Sequence, residues 1–247
     1  MTRYPSVLCM AACVAAFLAV SPARAGLSLG GEHEPPPARP DSGARRGLSL
    51  SFDASAENFS KRWALEVGVA GITDKTISSI LTGDIHFPSG PRGGMLYHFG
   101  ASYLLGEAVI GWGEHEFRPQ LDVPVFIEVF DENSRDPFPS YNAALRARWV
   151  DFPWNDYLRT SAAIGWGLSY SARIPLMERR REDRRDRRLD RTHLKFALPI
   201  DISFAHPRWP QHQIMFFLSH QSAGRWFGIF GRGGVNSVGI GYRWGYD

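Results

Sequence analysis

The sequence predicts an all-β fold, an eight-stranded antiparallel transmembrane β-barrel. Eight segments alternate between apolar side chains and polar or small ones, and each has about ten residues, the length that a tilted strand needs to cross a bilayer. One face of these segments carries aliphatic residues with aromatic residues toward the ends, while the other carries Gly, Ala, Ser and charged residues. After the N-terminal segment, no apolar run reaches the length of about 18 residues that a spanning helix requires.

The N-terminal segment, residues 1–25, is predicted to be a secretory signal peptide. It has a basic start at Arg3, a short apolar run over 7–20 and a small-residue cleavage site that ends at Ala25, which is the layout of such a peptide. Both cysteines of the chain lie inside it. The mature protein is therefore expected to contain no disulfide, although its compartment would permit one.

Residues 26–61 are predicted to form a flexible leader, because they are rich in Pro, Gly, Ser and Arg and carry little apolar surface to bury. A short strand is expected near 48–52. The barrel domain then occupies residues 62–247. Its alternating segments are 63–69, 97–105, 121–129, 141–149, 162–174, 194–204, 214–224 and 238–244.

The two faces of these segments decide between a membrane barrel and a soluble one. In a soluble barrel of the lipocalin type, the apolar face points inward. Eight strands enclose little space, and this chain has 8 Trp, 8 Tyr and 16 Phe residues. The apolar face is therefore predicted to contact lipid. The polar face is predicted to fill the lumen with an ion-pair network of Glu66, Arg146, Arg148, Arg173, Lys195, Asp201 and Arg243.

The lengths of the connections agree with this topology. In outer-membrane barrels with both termini in the periplasm, the periplasmic turns are short and the extracellular loops are longer. The short connections are predicted at 111–116, 152–156 and 206–211, and the longer, extracellular ones at 73–94, 131–140 and 177–192.

The charge of the chain is concentrated in one place. The formal net charge is only +3, and much of the basic excess lies in an Arg-rich run over 178–188, so nucleic-acid binding is not predicted. Arg side chains bind phosphates in a bidentate manner. Two interpretations of the run stay open: an extracellular loop that binds lipopolysaccharide phosphates, and a solvated loop whose Glu and Asp residues pair with its Arg residues.

Three polar residues interrupt the apolar face near one end of the barrel. His220 and Ser222 follow Leu218 on the same face of the seventh segment. Asn236, just before the eighth segment, lies on the same face as the apolar residues of that segment. A hydroxyl, an imidazole and an orienting group at one depth resemble a nucleophile, a base and a group that orients the base. The alternative is that these side chains simply meet the headgroup region of the membrane.

The sequence around these residues resembles the C-terminal part of the PagL-like lipid A 3-O-deacylases. The likeness is carried by LSHQSAG at 218–224 and, after a Gly-rich loop, by NSVGIGYRW at 236–244. The resemblance implies an eight-stranded esterase of the bacterial outer membrane, with His220 as general base and Ser222 as nucleophile. The segments 152–157 and 167–170 are also similar to a less-characterised relative of that family.

The chain departs from the family at the third position of the site. Asn236 stands where the family has a Glu, and Ala223 stands where the family often has Asn. The proposed reaction is hydrolysis of an acyl ester of lipid A or another outer-leaflet lipid, with Asn236 holding the imidazole and backbone amides near Ala223 and Gly224 stabilising the oxyanion. The resemblance implies that Asn236→Glu would raise turnover.

These interpretations imply no cofactor and no metal, an outer-membrane lipid such as lipopolysaccharide as partner, and no particular oligomeric state. The alternative function is a non-catalytic outer-membrane barrel with a structural or lipopolysaccharide-binding role. A small-solute pore is a third option.

Overall fold

The computed structural model describes residues 48–53, 62–91, 93–112, 115–178, 192–222 and 234–246. Its elements are the strands β1 (Leu48–Asp53), β2 (Trp63–Thr73), β3 (Gly94–Trp112), β4 (His115–Phe117), β5 (Gln120–Glu132), β6 (Phe138–Trp149), β7 (Arg159–Ser171), β8 (Leu194–Ala205), β9 (His212–Ser222) and β10 (Gly234–Tyr246), and the helix α1 (Ile77–Leu81). Among the described residues, no helix is long and apolar enough to cross a membrane.

Eight of these strands close into an antiparallel barrel. Each of β5 to β9 pairs with the next strand along the chain, β10 pairs with β2, β2 with β3, and β3 with β5. The ring therefore has no open edge. This confirms the predicted fold class. The eight alternating segments fall on these strands, although 162–174 runs past the end of β7 at Ser171 and 214–224 runs past Ser222 to residues outside the described ranges. The end of the barrel where β2 ends and β3 begins is called the upper end below, and the opposite end is called the lower end.

The apolar face of the strands points outward, as predicted. Trp166 on β7 is 55% exposed and Phe99 on β3 is 53% exposed, whereas Glu66 and Arg146, which point inward, are each 2% exposed. The arrangement is the reverse of a soluble barrel, in which water would cover the outer face. The outer surface matches the apolar band of a transmembrane barrel.

Aromatic side chains gather at the lower end. The exposed ones there are Trp63, Trp154, Tyr157, Trp209 and Trp244. Such residues, with an apolar ring and a polar edge, favour the boundary between hydrocarbon and water. They mark the expected level of one membrane interface.

The outward face can be tested at Leu168, which is half-exposed on β7. Leu168→Arg places a charge in hydrocarbon, which destabilises a barrel by about 2–4 kcal/mol at the midplane and less toward the interfaces. We expect a loss of about 2 kcal/mol in unfolding titrations in lipid vesicles, while Leu168→Met stays near wild type. Equal stability of the Arg variant would mean that this face does not contact lipid.

The lower half of the lumen holds a connected set of ion pairs. The guanidinium of Arg146 lies 2.6 Å from Glu66, 2.7 Å from Asp122 and 3.1 Å from Asp201. Arg148 lies 2.8 Å from Asp201, and Arg243 lies 3.1 Å from Glu66. The buried charges are thus paired, which the low dielectric of the lumen requires.

Two residues of the predicted network belong elsewhere. Lys195 is buried and pairs with Glu178 near the upper end. Arg173 is exposed and lies beyond Ser171, the last residue of β7. The prediction extends the alternation past the end of the strand, and outside a strand alternation no longer decides which way a side chain points.

The upper half of the lumen holds a buried apolar cluster beside polar groups such as Gln221, which donates to Glu128 at 3.0 Å. The apolar cluster consists of Ala70, Ile72, Leu96, Phe130, Phe138, Met177, Met215, Phe217 and Val235. Between this cluster and the ion pairs, beside His98, lies a cavity of about 20 Å³. That is room for about one water molecule, so side chains rather than an aqueous path occupy this part of the lumen.

The lower end carries an extension of the sheet. Strand β3 continues past the barrel, where residues 107–112 pair with β1 and residues 110–112 pair with β4. Strand β1 falls in the segment predicted as a leader, at the place where a short strand is expected. The signal peptide and the rest of the leader lie outside the described residues and stay predictions.

The connections alternate between the two ends of the barrel as predicted, with one difference in length. Residues 74–93 and 172–193 join strands at the upper end, and the turns 150–158 and 206–211 lie at the lower end. The connection predicted at 131–140 is shorter, because β5 extends to Glu132 and β6 begins at Phe138. The Arg-rich run lies outside the described residues from Arg179 onward.

Candidate functional site

Strands β9 and β10 bring the polar residues together at the upper end of the outer wall. Their antiparallel register places Asn236 opposite His220 and Gly234 opposite Ser222. The side chains of His220 and Ser222 point outward, as that of Phe216 does, because side chains alternate along a strand. Asn236 is paired with His220, so its side chain points outward as well. The three side chains therefore lie on the same patch of the lipid-facing surface.

The imidazole of His220 is held by the side-chain amide of Asn236. Nδ1 of His220 lies 2.5 Å from Oδ1 of Asn236, and Nδ2 of Asn236 donates to the backbone carbonyl of Lys75 at 2.5 Å. Because a carbonyl oxygen needs a donor and only the NH₂ end of the Asn236 amide can donate, Oδ1 must face the imidazole. Nδ1 of His220 is therefore the donor, and the neutral ring has its basic lone pair at Nε2.

Ser222 lies two residues beyond His220 on the same face of β9. The rise of a strand separates such residues by roughly 6–7 Å along the chain, a span that an imidazole can bridge to a hydroxyl. Both residues are half-buried. Their position allows an Nε2 base and a hydroxyl nucleophile to work as a pair.

Gly234 is a member of the patch that the sequence does not reveal. A Cβ at this position would lie 2.7 Å from the carbonyl oxygen of Gln221 and 3.6 Å from Cε1 of His220. The shorter of these distances means that a side chain there would push β10 away from β9, whereas its contact with the imidazole would be an ordinary van der Waals one. The glycine thus keeps the two strands close and leaves space beside Ser222.

The connection between β2 and β3 folds down over the outer wall next to these residues. Its described part, residues 74–91, is called the cover segment below. Thr76 caps helix α1, its side chain accepting from the backbone NH of Ser79. Thr73 donates to the carbonyl of His86 at 2.7 Å. A Cβ at Gly71 would lie only 2.5 Å from the ring of Phe87, so that ring lies against the barrel wall.

Between the cover segment and the wall lies an apolar groove of about 310 Å³. Leu81 and Ile85 form its outer side, and the outward residues of the wall that line it are Ala162, Ile164, Ile200, Ile202, Phe216, Leu218 and Val238. The volume is at the lower end of the range for small-molecule sites, about 300–1,000 Å³. The groove meets the polar patch at Leu218, two residues before His220.

Burial shows how far the cover segment changes this part of the wall. Leu218 and Asn236 point outward, yet they are only 3% and 1% exposed. Phe216, one step deeper on β9, is 44% exposed. The cover segment thus separates a strip of the outer wall from the surrounding lipid.

The structure brings together most of the residues that the sequence predicts for the site. His220 and Asn236 are hydrogen-bonded, and Ser222 lies beside them. Ala223 and Gly224, predicted to donate to an oxyanion, lie outside the described residues. The sequence prediction treats the cover segment only as a connection, although Thr76 followed by apolar residues at 77, 80 and 81 is a signal for a capped amphipathic turn.

Metal-binding side chains do not gather anywhere in the described part of the chain. His, Cys, Asp and Glu residues form no group of three or more there that could hold a metal ion.

Comparison with known proteins identifies no family and gives a similarity to a solved structure. No protein-family model matches the chain, and no curated protein matches it. Among solved structures, the chain is similar to the crystal structure of the outer membrane enzyme PagL, with 15% sequence identity and a TM-score of 0.47, over 74% of this chain and 99% of that chain.

Proposed function

We propose that this chain is an outer-membrane esterase that hydrolyses an acyl ester of lipid A or another outer-leaflet lipid. The observation that carries the proposal is the His220–Asn236 pair, held in one tautomer and placed beside Ser222 at the end of an apolar groove. A base, a hydroxyl and a groove for an acyl chain lie together on a lipid-facing wall. A barrel with a purely structural role has no need of this combination.

The reaction begins at the hydroxyl of Ser222. Nε2 of His220 takes the proton of Oγ as Oγ forms a bond to the ester carbonyl carbon, and the carbonyl electron pair moves to its oxygen. Collapse of this intermediate breaks the bond to the alcohol oxygen, which takes the proton from Nε2. An acyl group remains on Ser222, and the alcohol part of the lipid leaves.

Water completes the cycle by the same steps. His220 takes a proton from water as the water oxygen attacks the acyl carbon, and collapse returns the proton to Oγ and releases the fatty acid. Backbone amides near Ala223 and Gly224 are the proposed donors to the oxyanion. Asn236 holds the imidazole in orientation throughout, and no cofactor takes part.

Asn236 supplies the orienting group without a charge. In serine proteases, replacing the orienting carboxylate by an amide lowers turnover by about four orders of magnitude, because the wrong tautomer of the imidazole forms. Here the carbonyl of Lys75 accepts from Nδ2, which keeps Oδ1 on the imidazole. Support for an active site therefore comes from a contact that preserves the required tautomer.

Mass spectrometry of lipid A tests the proposal. Cells that produce the protein are expected to contain lipid A that has lost one ester-linked acyl chain, and cells without it are expected to keep that chain. Purified protein in detergent micelles should also release fatty acid from simple acyl esters. Unchanged lipid A together with inert purified protein would favour the non-catalytic barrel.

A further inference from the structure

We infer that the cover segment, through Leu81 and Ile85, selects which acyl chain the site accepts: a single chain of limited length, held between α1 and the barrel wall. The inference rests on the proposed ester hydrolysis and adds two specificity-determining residues to it. Both residues lie far from the polar patch in sequence and belong to a connection rather than to a strand.

The first step is the contrast between covered and uncovered wall. Leu145, away from the cover segment, is 52% exposed, whereas Leu218 at the upper end of the groove is 3% exposed. Deeper in the groove, Ile164 and Phe216 are 46% and 44% exposed, so the groove is open to lipid there. In the groove the same kind of wall has a second side made of protein. A chain that enters it is packed on two sides, so its fit depends on its length and shape in a way that contact with bulk lipid does not.

The second step is the direction of the groove. Starting from His220, the outward side chains along β9 are Leu218 and then Phe216, and their register partners on β8 are Ile200 and Ile202. These positions run from the upper end toward the middle of the wall. A chain whose ester carbonyl lies at Ser222 would therefore extend along the groove into the membrane.

The third step is the attachment of the cover segment, which fixes its distance from the wall. Nδ2 of Asn236 on β10 donates to the carbonyl of Lys75 at 2.5 Å, and Thr73 on β2 donates to the carbonyl of His86 at 2.7 Å. The segment is thus attached to the wall at two points on either side of α1. Leu81 and Ile85 consequently have set positions over the groove.

Chain-length profiles test the inference. We would measure hydrolysis of p-nitrophenyl butanoate and p-nitrophenyl palmitate in detergent micelles and compare the palmitate-to-butanoate ratio of kcat/KM among variants. Leu81→Trp fills the groove and is expected to lower the ratio about tenfold, the scale on which a hydrophobic pocket discriminates by size. Leu81→Ala enlarges the groove and should shift the preference toward the longer ester.

The matched control is Leu145→Trp, which makes the same change on the outer wall away from the groove. Its ratio should equal that of wild type. If Leu81→Trp and Leu145→Trp give the same profile, the cover segment does not select the chain and the inference is overturned. Folding of each variant is checked by the resistance of the barrel to denaturing electrophoresis without heating, and Leu81→Ala provides an answer should the Trp variant not fold.

Binding separates this inference from the proposed reaction. Ser222→Ala protein is titrated with the fluorescent fatty acid cis-parinaric acid, with and without Leu81→Trp. Weaker binding in the Leu81→Trp protein, by about tenfold, supports the inference even if no ester is hydrolysed. Equal binding with and without Leu81→Trp overturns it, whatever the result of the hydrolysis assay.

Discussion

Ser222→Ala is expected to abolish fatty-acid release while the barrel folds as well as wild type. Loss of the nucleophile in a Ser-His site lowers kcat by about four orders of magnitude or more. The change removes one oxygen from a half-buried side chain at the end of β9, so the folded yield should not fall. The measurement is fatty-acid release from acyl esters in micelles, normalised to folded protein.

Ser219→Ala is the matched control for this variant. Ser219 lies on the same strand but faces the lumen, so the same chemical change should leave hydrolysis near that of wild type. Activity that survives Ser222→Ala would remove this site from consideration.

His220→Asn should have an effect of the same size, since no other group in the proposed reaction takes the proton. Residues that act as one unit have effects that do not add. The double variant with Ser222→Ala should therefore be no less active than either single variant. Additive losses would show that the two residues do not act in one step.

The barrel could be predicted from sequence because its signal is repeated and local. Alternation with period two, together with an aliphatic face, decides the inward and outward sides of every strand that carries it, and Glu66 and Arg146 lie in the lumen as that pattern requires. The same rule failed at Arg173, which lies past the end of its strand. It also could not tell that Lys195 pairs with Glu178, since the pairing depends on where a connection enters the barrel.

The position of the cover segment on the outer wall could not be predicted, because it depends on contacts between distant parts of the chain. Phe87 packs on the outer wall only where Gly71 leaves room, and α1 is a single short turn that would not be stable alone. The tie between Asn236 and Lys75 joins residues 161 positions apart. The family resemblance implies that Asn236 replaces a Glu, but it cannot show what the amide nitrogen binds.

That contact reverses the expected effect of restoring a carboxylate. By resemblance alone, Asn236→Glu should raise turnover, because a negative charge stabilises the imidazolium. In the structure, Nδ2 of Asn236 donates to the carbonyl of Lys75. A carboxylate has no hydrogen to donate and would place an oxygen against that carbonyl in a position that is 1% exposed.

We therefore expect Asn236→Asp, which has nearly the shape of the native side chain, to lower kcat/KM about tenfold to a hundredfold. The size of the effect follows from replacing a hydrogen bond by a contact between two oxygens at a position that is 1% exposed; an unsatisfied buried polar group costs about 1–3 kcal/mol, and more when it is charged. The cover segment should also lose its attachment at Lys75. The palmitate-to-butanoate ratio of kcat/KM should then approach the value expected when the cover segment does not contact the wall. The measurements are kcat/KM for both esters and protease sensitivity within residues 74–91.

Asn236→Glu and Asn236→Gln form a second, matched pair of equal length that differs only in the donor group. The Gln variant can still donate to Lys75 and accept from His220, so it should be the more active of the two. Higher turnover in the Asp and Glu variants than in wild type and Gln would show that the missing charge, and not the amide contact to Lys75, limits this site. The cover segment would then have no part in holding the imidazole.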